Sequence, residues 1–142
     1  MPYLIDGHNL IAYLDDISLD DPDDEAKLVQ KLIGFAARTK SRCIVIFDAG
    51  LPGGWSRMSN HSVQVIFARH DSSADRILYN RIRTEKNPKM WTVVSSDNAV
   101  INEARKYRMQ TIRAADFAHQ LKHPTPIKPD IGEAPDVKLS EQ

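Results

Sequence analysis

Short unbroken apolar runs alternate along this chain with longer stretches in which apolar residues recur every three or four positions. Residues 3–5, 43–47, 63–67, 90–94 and 111–112 are of the first kind. Runs of that length, apolar at most positions (Gln64, Thr92 and Thr111 are the exceptions), predict strands covered on both faces. Between them, Leu28, Val29, Leu32, Ile33 and Ala36 share one face of a helix predicted over residues 22–39, with Asp21 as its N-cap and Pro22 at its first position. A short helical piece is expected over residues 10–14. Ser73 is placed to cap a helix over residues 73–86, with Ile77, Leu78 and Ile82 inward. Further helices are expected over residues 98–107, with Ala99, Ala104 and Tyr107 inward, and over 115–121. Strands alternating with helices predict an α/β chain with a mainly parallel sheet of about five strands.

Residues 50–60 fit neither period. Gly53-Gly54 marks a loop or hairpin tip there, expected to be mobile and to touch a substrate. After His123, four prolines punctuate a polar tail. The division expected is a domain over residues 1–122 and an extended or disordered tail over 123–142.

Composition changes this picture little. With 142 residues, 42% hydrophobic and 27% charged, the chain suits one globular domain. Its single cysteine, Cys43, excludes an internal disulfide, and no stretch has the length of a membrane span. A cytoplasmic protein is expected. The net charge of zero hides an asymmetry. Residues 1–25 carry eight acids and no Lys or Arg, whereas residues 38–113 carry 14 Lys and Arg against 6 acids. A basic middle suits a polyanion, or else is a solvated surface with uneven charge.

The candidate chemistry lies where the apolar runs end. Asp6 closes the first, Asp48 the second, Asp75 follows the third after a polar turn, and Asp97 follows the fourth through Ser95-Ser96. One such Asp is ordinarily a turn former or helix cap. Four at corresponding ends of one sheet would form a carboxylate cluster suited to a divalent cation, with Mg²⁺ or Mn²⁺ favoured over zinc by all-oxygen ligands.

These blocks carry a resemblance. Asp6-Gly7-His8-Asn9-Leu10-Ile11 resembles the DGxN signature of the NYN nucleases in the PIN-like superfamily. Residues 45–48, 73–78 and 94–97 resemble its next three blocks in order, and the layout is most similar to the bacterial YacP-like branch. The resemblance covers about residues 2–121. It implies a three-layer α/β/α Rossmann-like fold and metal-dependent endoribonuclease activity, with in-line hydrolysis leaving a 5′-phosphate and a 3′-hydroxyl. Asp6, Asp48, Asp75 and Asp97 would be catalytic and bind the metal. Asn9 would support the first acid or contact a phosphate, and Ser96 would orient the last acid. RNA is the implied partner, mRNA on a ribosome the implied setting. The chain departs from the pattern at Arg76, where a second acid is common, at His8, where Tyr is common, and at Arg108-Met109, where a glycine commonly precedes the fifth strand.

Other residues invite substrate contacts. Trp55 could stack on a base or lid the sheet edge, and Arg57 shares its loop. Arg76, Arg81, Arg83, Lys86 and Lys89 follow the third acid as a phosphate-tracking strip or a solvated face. His8 is expected to pack or touch substrate, and His61 and His70 to lie on the surface beside the site loop. Two alternatives stand beside the nuclease. One is an RNA- or ribosome-binding module with a weak or inactive metal site, for which Arg76 speaks. The other is a phosphatase or phosphotransferase, against which the missing DxD, Walker and dinucleotide glycine patterns count.

Overall fold

The computed structural model describes residues 1–48, 59–69 and 71–122, and the backbone of residues 54–55. The predicted loop over residues 50–60, including Arg57, falls largely outside the described residues. So do the Trp55 side chain, His70 and the tail after Lys122.

Twelve elements follow one another: β1 (Pro2–Asp6), α1 (Gly7–Ile11), α2 (Asp24–Thr39), β2 (Arg42–Phe47), β3 (Gly54–Trp55), β4 (Val63–Phe67), α3 (Ala74–Thr84), a 3₁₀ turn (Pro88–Met90), β5 (Thr92–Val94), α4 (Asn98–Lys106), β6 (Gln110–Ile112) and α5 (Ala114–Lys122). They form one sheet in the order β3-β4-β2-β1-β5-β6. Five strands are parallel, as their unbroken apolar runs require, and the two-residue β3 adds an antiparallel edge against Ile66 and Phe67. That edge strand lies within the segment that the apolar pattern left as a loop.

Alternate residues of each strand feed opposite layers. Ile5, Val45, Phe47 and Val94 pack with α1, α2 and α5 through Leu10, Leu28, Leu32, Phe35 and Phe117. Leu4, Ile44, Ile46 and Val93 pack with α3 and α4 through Leu78, Ile82, Val100 and Ala104. The result is the three-layer α/β/α arrangement. Cys43 lies in the first core, where desolvation, slightly offset by the chain's amino end, pushes its thiol up to about 12 and leaves it unreactive as a nucleophile.

Three boundaries differ from the sequence pattern. Helix α2 starts at Asp24, because Asp21 caps a local turn by accepting from the Asp23 N–H at 2.8 Å. The fourth predicted strand begins two residues late, because Asn87-Pro88 seeds a 3₁₀ turn that takes Met90. In α4 the inward residues are Val100, Ile101 and Ala104, whereas Ala99 is exposed beside the helix start. Ser73 caps α3 as predicted, accepting from the Arg76 N–H at 3.2 Å.

Candidate active site

The sheet order places β1 between β2 and β5, so the chain leaves β1 to one side and returns on the other. Side chains collect at the carboxyl ends of strands at such a switch point. Asp6 ends β1, Asp48 follows β2, and Asp97 follows β5 by three residues, so these acids come from three adjacent strands. Asp75 stands in the first turn of α3.

Gly7 makes the turn out of β1 possible. A Cβ at this position would lie 2.4 Å from the Phe47 ring and 3.0 Å from the Ile46 carbonyl oxygen. Only glycine lets α1 start against β2 so closely. The Asp-Gly pair therefore has a packing reason independent of chemistry.

Asp6 is buried, 7% exposed. Desolvation pushes its carboxyl up to about 6, and Asp75, Asp48 and Asp97 push in the same direction, while the Ser95 hydrogen bond pulls it down. Asp75 is also raised, by desolvation first and then by Asp97 and Asp48. Asp6 thus feels the other three acids, and Asp75 feels Asp97 and Asp48. No three of them have ligand atoms within 4.8 Å of one another, however; among the described residues only His8, Asp24 and Glu25 do so.

Each acid is positioned by the backbone around it. The Ser95 hydroxyl donates to Asp6 Oδ2 at 3.2 Å and accepts from the Asp97 N–H at 3.1 Å, tying the first acid to the last. Asp97 caps α4 by accepting from the Ala99 N–H at 2.9 Å. Asp48 Oδ1 accepts from the Ala74 N–H at 2.9 Å, which holds the start of α3, and with it Asp75, beside β2.

Ser95, fully buried just after β5, is the serine that links the two acids, and Ser96, expected to orient the last acid, makes no hydrogen bond to Asp97 among the described residues. Ser96 instead donates through its N–H and its hydroxyl to Asn9 Oδ1, at 2.7 and 2.8 Å. Asn9 so braces α1 against the loop after β5 and makes no hydrogen bond to Asp6 among the described residues, where its amide nitrogen has no partner. Arg113, which no sequence pattern singled out, donates to the Asn98 side chain at 2.9 Å and reaches the Ser96 carbonyl at 3.5 Å.

His8 does more than pack. Its ring lies 5.1 Å from the Phe47 ring, its Nε2 is 2.7 Å from Glu25 Oε2, and its Nδ1 is 3.4 Å from the Asp48 backbone nitrogen. An Nδ1 that accepts from an N–H puts the ring proton on Nε2, facing Glu25. Glu25 and the buried Asp24 reach the site from α2, 16 or more residues away in sequence, so no local spacing could have marked them.

The predicted basic strip is divided. Arg76 is exposed near the acids, but Arg83 pairs with Glu103 of α4 and stacks over Tyr79 at 5.4 Å. Lys86 and Lys89 lie beyond the end of α3. His61 is exposed, as expected, and lies just before β4 near Pro2 and Arg42, at the end of the sheet away from the acids. The backbone of residues 54–55 lies beside the carboxyl end of β4. No helix among the described residues is long and apolar enough to cross a membrane.

The family described as the YacP-like NYN domain matches residues 3–133. Over 77 residues the chain is 35% identical to YacP of Bacillus subtilis (strain 168), a match that covers 51% of this chain and 45% of that protein. The chain therefore matches less than half the length of that relative. Two crystal structures of Rae1 (YacP) from Bacillus subtilis, one of them a tryptophan-to-leucine mutant, share the fold at a TM-score of 0.69. Their identities are 24% and 23%, with 86% and 85% of this chain and 74% of each of theirs covered. With the four blocks in order on a three-layer sheet, and with the family spanning residues 3–133, this chain belongs to the YacP-like NYN domain family, an RNA-related, nuclease-like group.

Proposed function

We propose that the protein is a metal-dependent endoribonuclease that hydrolyses RNA phosphodiester bonds at the carboxyl end of its sheet. The observation that carries this reading is Asp6: a buried acid, pushed up to about 6 by desolvation and by Asp75, Asp48 and Asp97, with Ser95 opposing. Burying a carboxylate among three others is unfavourable unless a cation joins them. The donors are all carboxylate oxygens, which fits Mg²⁺ or Mn²⁺.

In this reading Asp6, Asp48, Asp75 and Asp97 hold the ion or ions. A divalent ion bound there supplies a more acidic water and neutralises charge on the scissile phosphate. The chain's own groups do the rest. Ser95 fixes the spacing of Asp6 and Asp97, and Asp48 fixes the start of α3. Asn9 offers its amide N–H to a phosphate oxygen, while Arg76 and the segment holding Trp55 and Arg57 meet the strand on either side. Cleavage would leave a 5′-phosphate and a 3′-hydroxyl. A cytoplasmic setting and an mRNA substrate on the ribosome belong to the proposal through the family resemblance alone.

A second reading, an RNA- or ribosome-binding module with a weak or inactive metal site, is favoured by Arg76 at the second-acid position and by the open spacing of the four acids. One experiment separates the two. Purified protein is incubated with a mixed RNA in Mn²⁺, in EDTA, and as the Asp97→Asn variant. Cleavage only by the unaltered protein in Mn²⁺ supports the nuclease. RNA binding without cleavage in all three supports the module.

A further inference from the structure

The end of the sheet opposite the acids has a character of its own. Lys40, Arg42, Lys86, Lys89 and Arg108 gather there, around two adjoining hollows that share Asn87 and Met90. Arg42 opens β2 beside Pro2 at the start of β1, so this surface lies across the full length of the central strands from Asp6. That separation is roughly 13 Å of strand. All five cations are exposed, and none has an ion-pair partner among the described residues. Glu85 is the one acid lining either hollow, and its carboxylate accepts from the Asn87 N–H at 3.3 Å. Met90, 60% exposed, lies among them.

Two of the five cations stand at left-handed helix ends. Among the described residues, two without glycine's freedom adopt a positive φ: Lys40 at 53° and Arg108 at 68°. Lys40 ends α2, and Arg108 follows α4 in the turn into β6. Glycine is the residue these left-handed helix ends favour, and any side chain there adds strain. Both strained positions carry a cation, and both point to the same end of the sheet. Each is the left-handed residue that ends its helix, with the Ser41 and Met109 N–H groups donating back to the Ala36 and Ala104 carbonyls at 3.0 and 2.9 Å.

We propose that this basic end is a second polyanion-binding surface, which holds the phosphate backbone of a folded RNA while the acid end receives the strand to be cut. The choice of RNA over an acidic protein rests on the nuclease reading; the charge itself does not. Five exposed cations, without ion-pair partners among the described residues, suit phosphates at several heights and read no base sequence.

The test exploits the strain. Lys40→Gly and Arg108→Gly remove two charges and relax two left-handed residues. Binding of a fluorescein-labelled RNA hairpin is measured by anisotropy in EDTA over a series of KCl concentrations. The double variant should bind roughly tenfold more weakly at low salt, with the slope of log Kd against log salt reduced by about 1.5. Its thermal midpoint should be unchanged or higher. The Lys86→Gln, Lys89→Gln pair, which leaves the backbone alone, should weaken binding similarly. Unchanged affinity and salt slope in both pairs would overturn the proposal, as would weaker binding that merely tracks a lowered thermal midpoint. Cleavage of a short single-stranded RNA in Mn²⁺ should be equal in all these variants and the unaltered protein. Absence of cleavage in every protein would count against the nuclease reading and leave the binding result standing.

Discussion

The two ends of one sheet show opposite ways of handling charge. At the carboxyl end one acid is drawn inward beneath three that water still reaches: Asp6 is buried, its carboxyl is raised by burial and by Asp75, Asp48 and Asp97, and Ser95 lowers it partway. Hydrogen bonds from Ser95, Ala74 and Ala99 fix where these acids stand. At the amino end, like charges stand exposed with no ion-pair partner among the described residues, and Lys40 and Arg108 adopt a positive φ. Exposed like charges repel weakly because water and salt screen them. Buried ones repel strongly, so the acid end stores much more electrostatic energy. The acid end is built for a compact cation, and the basic end for an extended anion.

The sharpest way to break this contrast is to remove acid charge without removing shape. Asp97→Asn keeps a helix cap on α4, because asparagine accepts from an N–H as aspartate does. Asp6→Asn keeps the Ser95 contact. Each should lower the cleavage rate by on the order of 100-fold or more, a loss of about 3 kcal/mol or more in transition-state stabilisation. Initial rates on labelled RNA in Mn²⁺, beside thermal midpoints, check this. A matching loss of folding would make the acids structural elements.

The next test concerns the turn that brings Asp6 to its place. Gly7→Ala puts a Cβ within 2.4 Å of the Phe47 ring, which sits in the densest part of the core. A destabilisation of about 2–3 kcal/mol is expected, read as a lower denaturant midpoint. An unchanged midpoint would mean that α1 does not lie so close to β2.

A smaller effect follows from the raised Asp6. Its carboxyl titrates at about 6 in the fold against an ordinary 3.8. Between those values the folded state binds more protons than the unfolded state, so metal-free stability falls as pH rises through that window. The penalty is complete above pH 6, is absent below 3.8, and amounts to on the order of 2 kcal/mol. The stability difference between Asp6→Asn and the unaltered protein should therefore widen from pH 4 to pH 7 in EDTA. Equal pH profiles for the two would place Asp6 outside the field of the other acids.

The smallest effect is expected where the acid end meets α2. Glu25→Gln keeps a hydrogen-bonding group at the His8 ring but removes its charge. A three- to tenfold fall in cleavage rate at saturating RNA is expected, with little change in thermal midpoint, since water still reaches about a quarter of each side chain (26% and 25% exposed) and such pairs contribute about 1 kcal/mol to stability. An unchanged rate would reduce the His8–Glu25 pair to packing.

Much of the acid end was legible in the sequence, because each acid closes or follows a strand whose apolar run is itself the signal. The alternation of strands and helices gave the layers, and Ser73 as a cap followed from local chemistry. Other features depend on contacts far apart in the chain. Ser95, and not Ser96, joins two acids because the chain leaving β5 buries the first serine and leaves the second facing Asn9, and adjacent serines look alike in sequence. Glu25 and Asp24 reach His8 only through the packing of α2 on the sheet. The basic end was visible only as a surplus of Lys and Arg over residues 38–113. Its five residues come from the ends of α2 and α4, the start of β2 and the 3₁₀ region, which only the folded sheet brings together.

The central claim is that the four strand-end acids form a cation site. Crystals of the protein grown or soaked in Mn²⁺ and measured near the manganese edge test this most directly. The account predicts an anomalous peak bounded by Asp6, Asp48, Asp75 and Asp97, lost in crystals of Asp6→Asn. A peak at His8, Asp24 and Glu25 alone, or no peak at these acids at millimolar Mn²⁺, would contradict it.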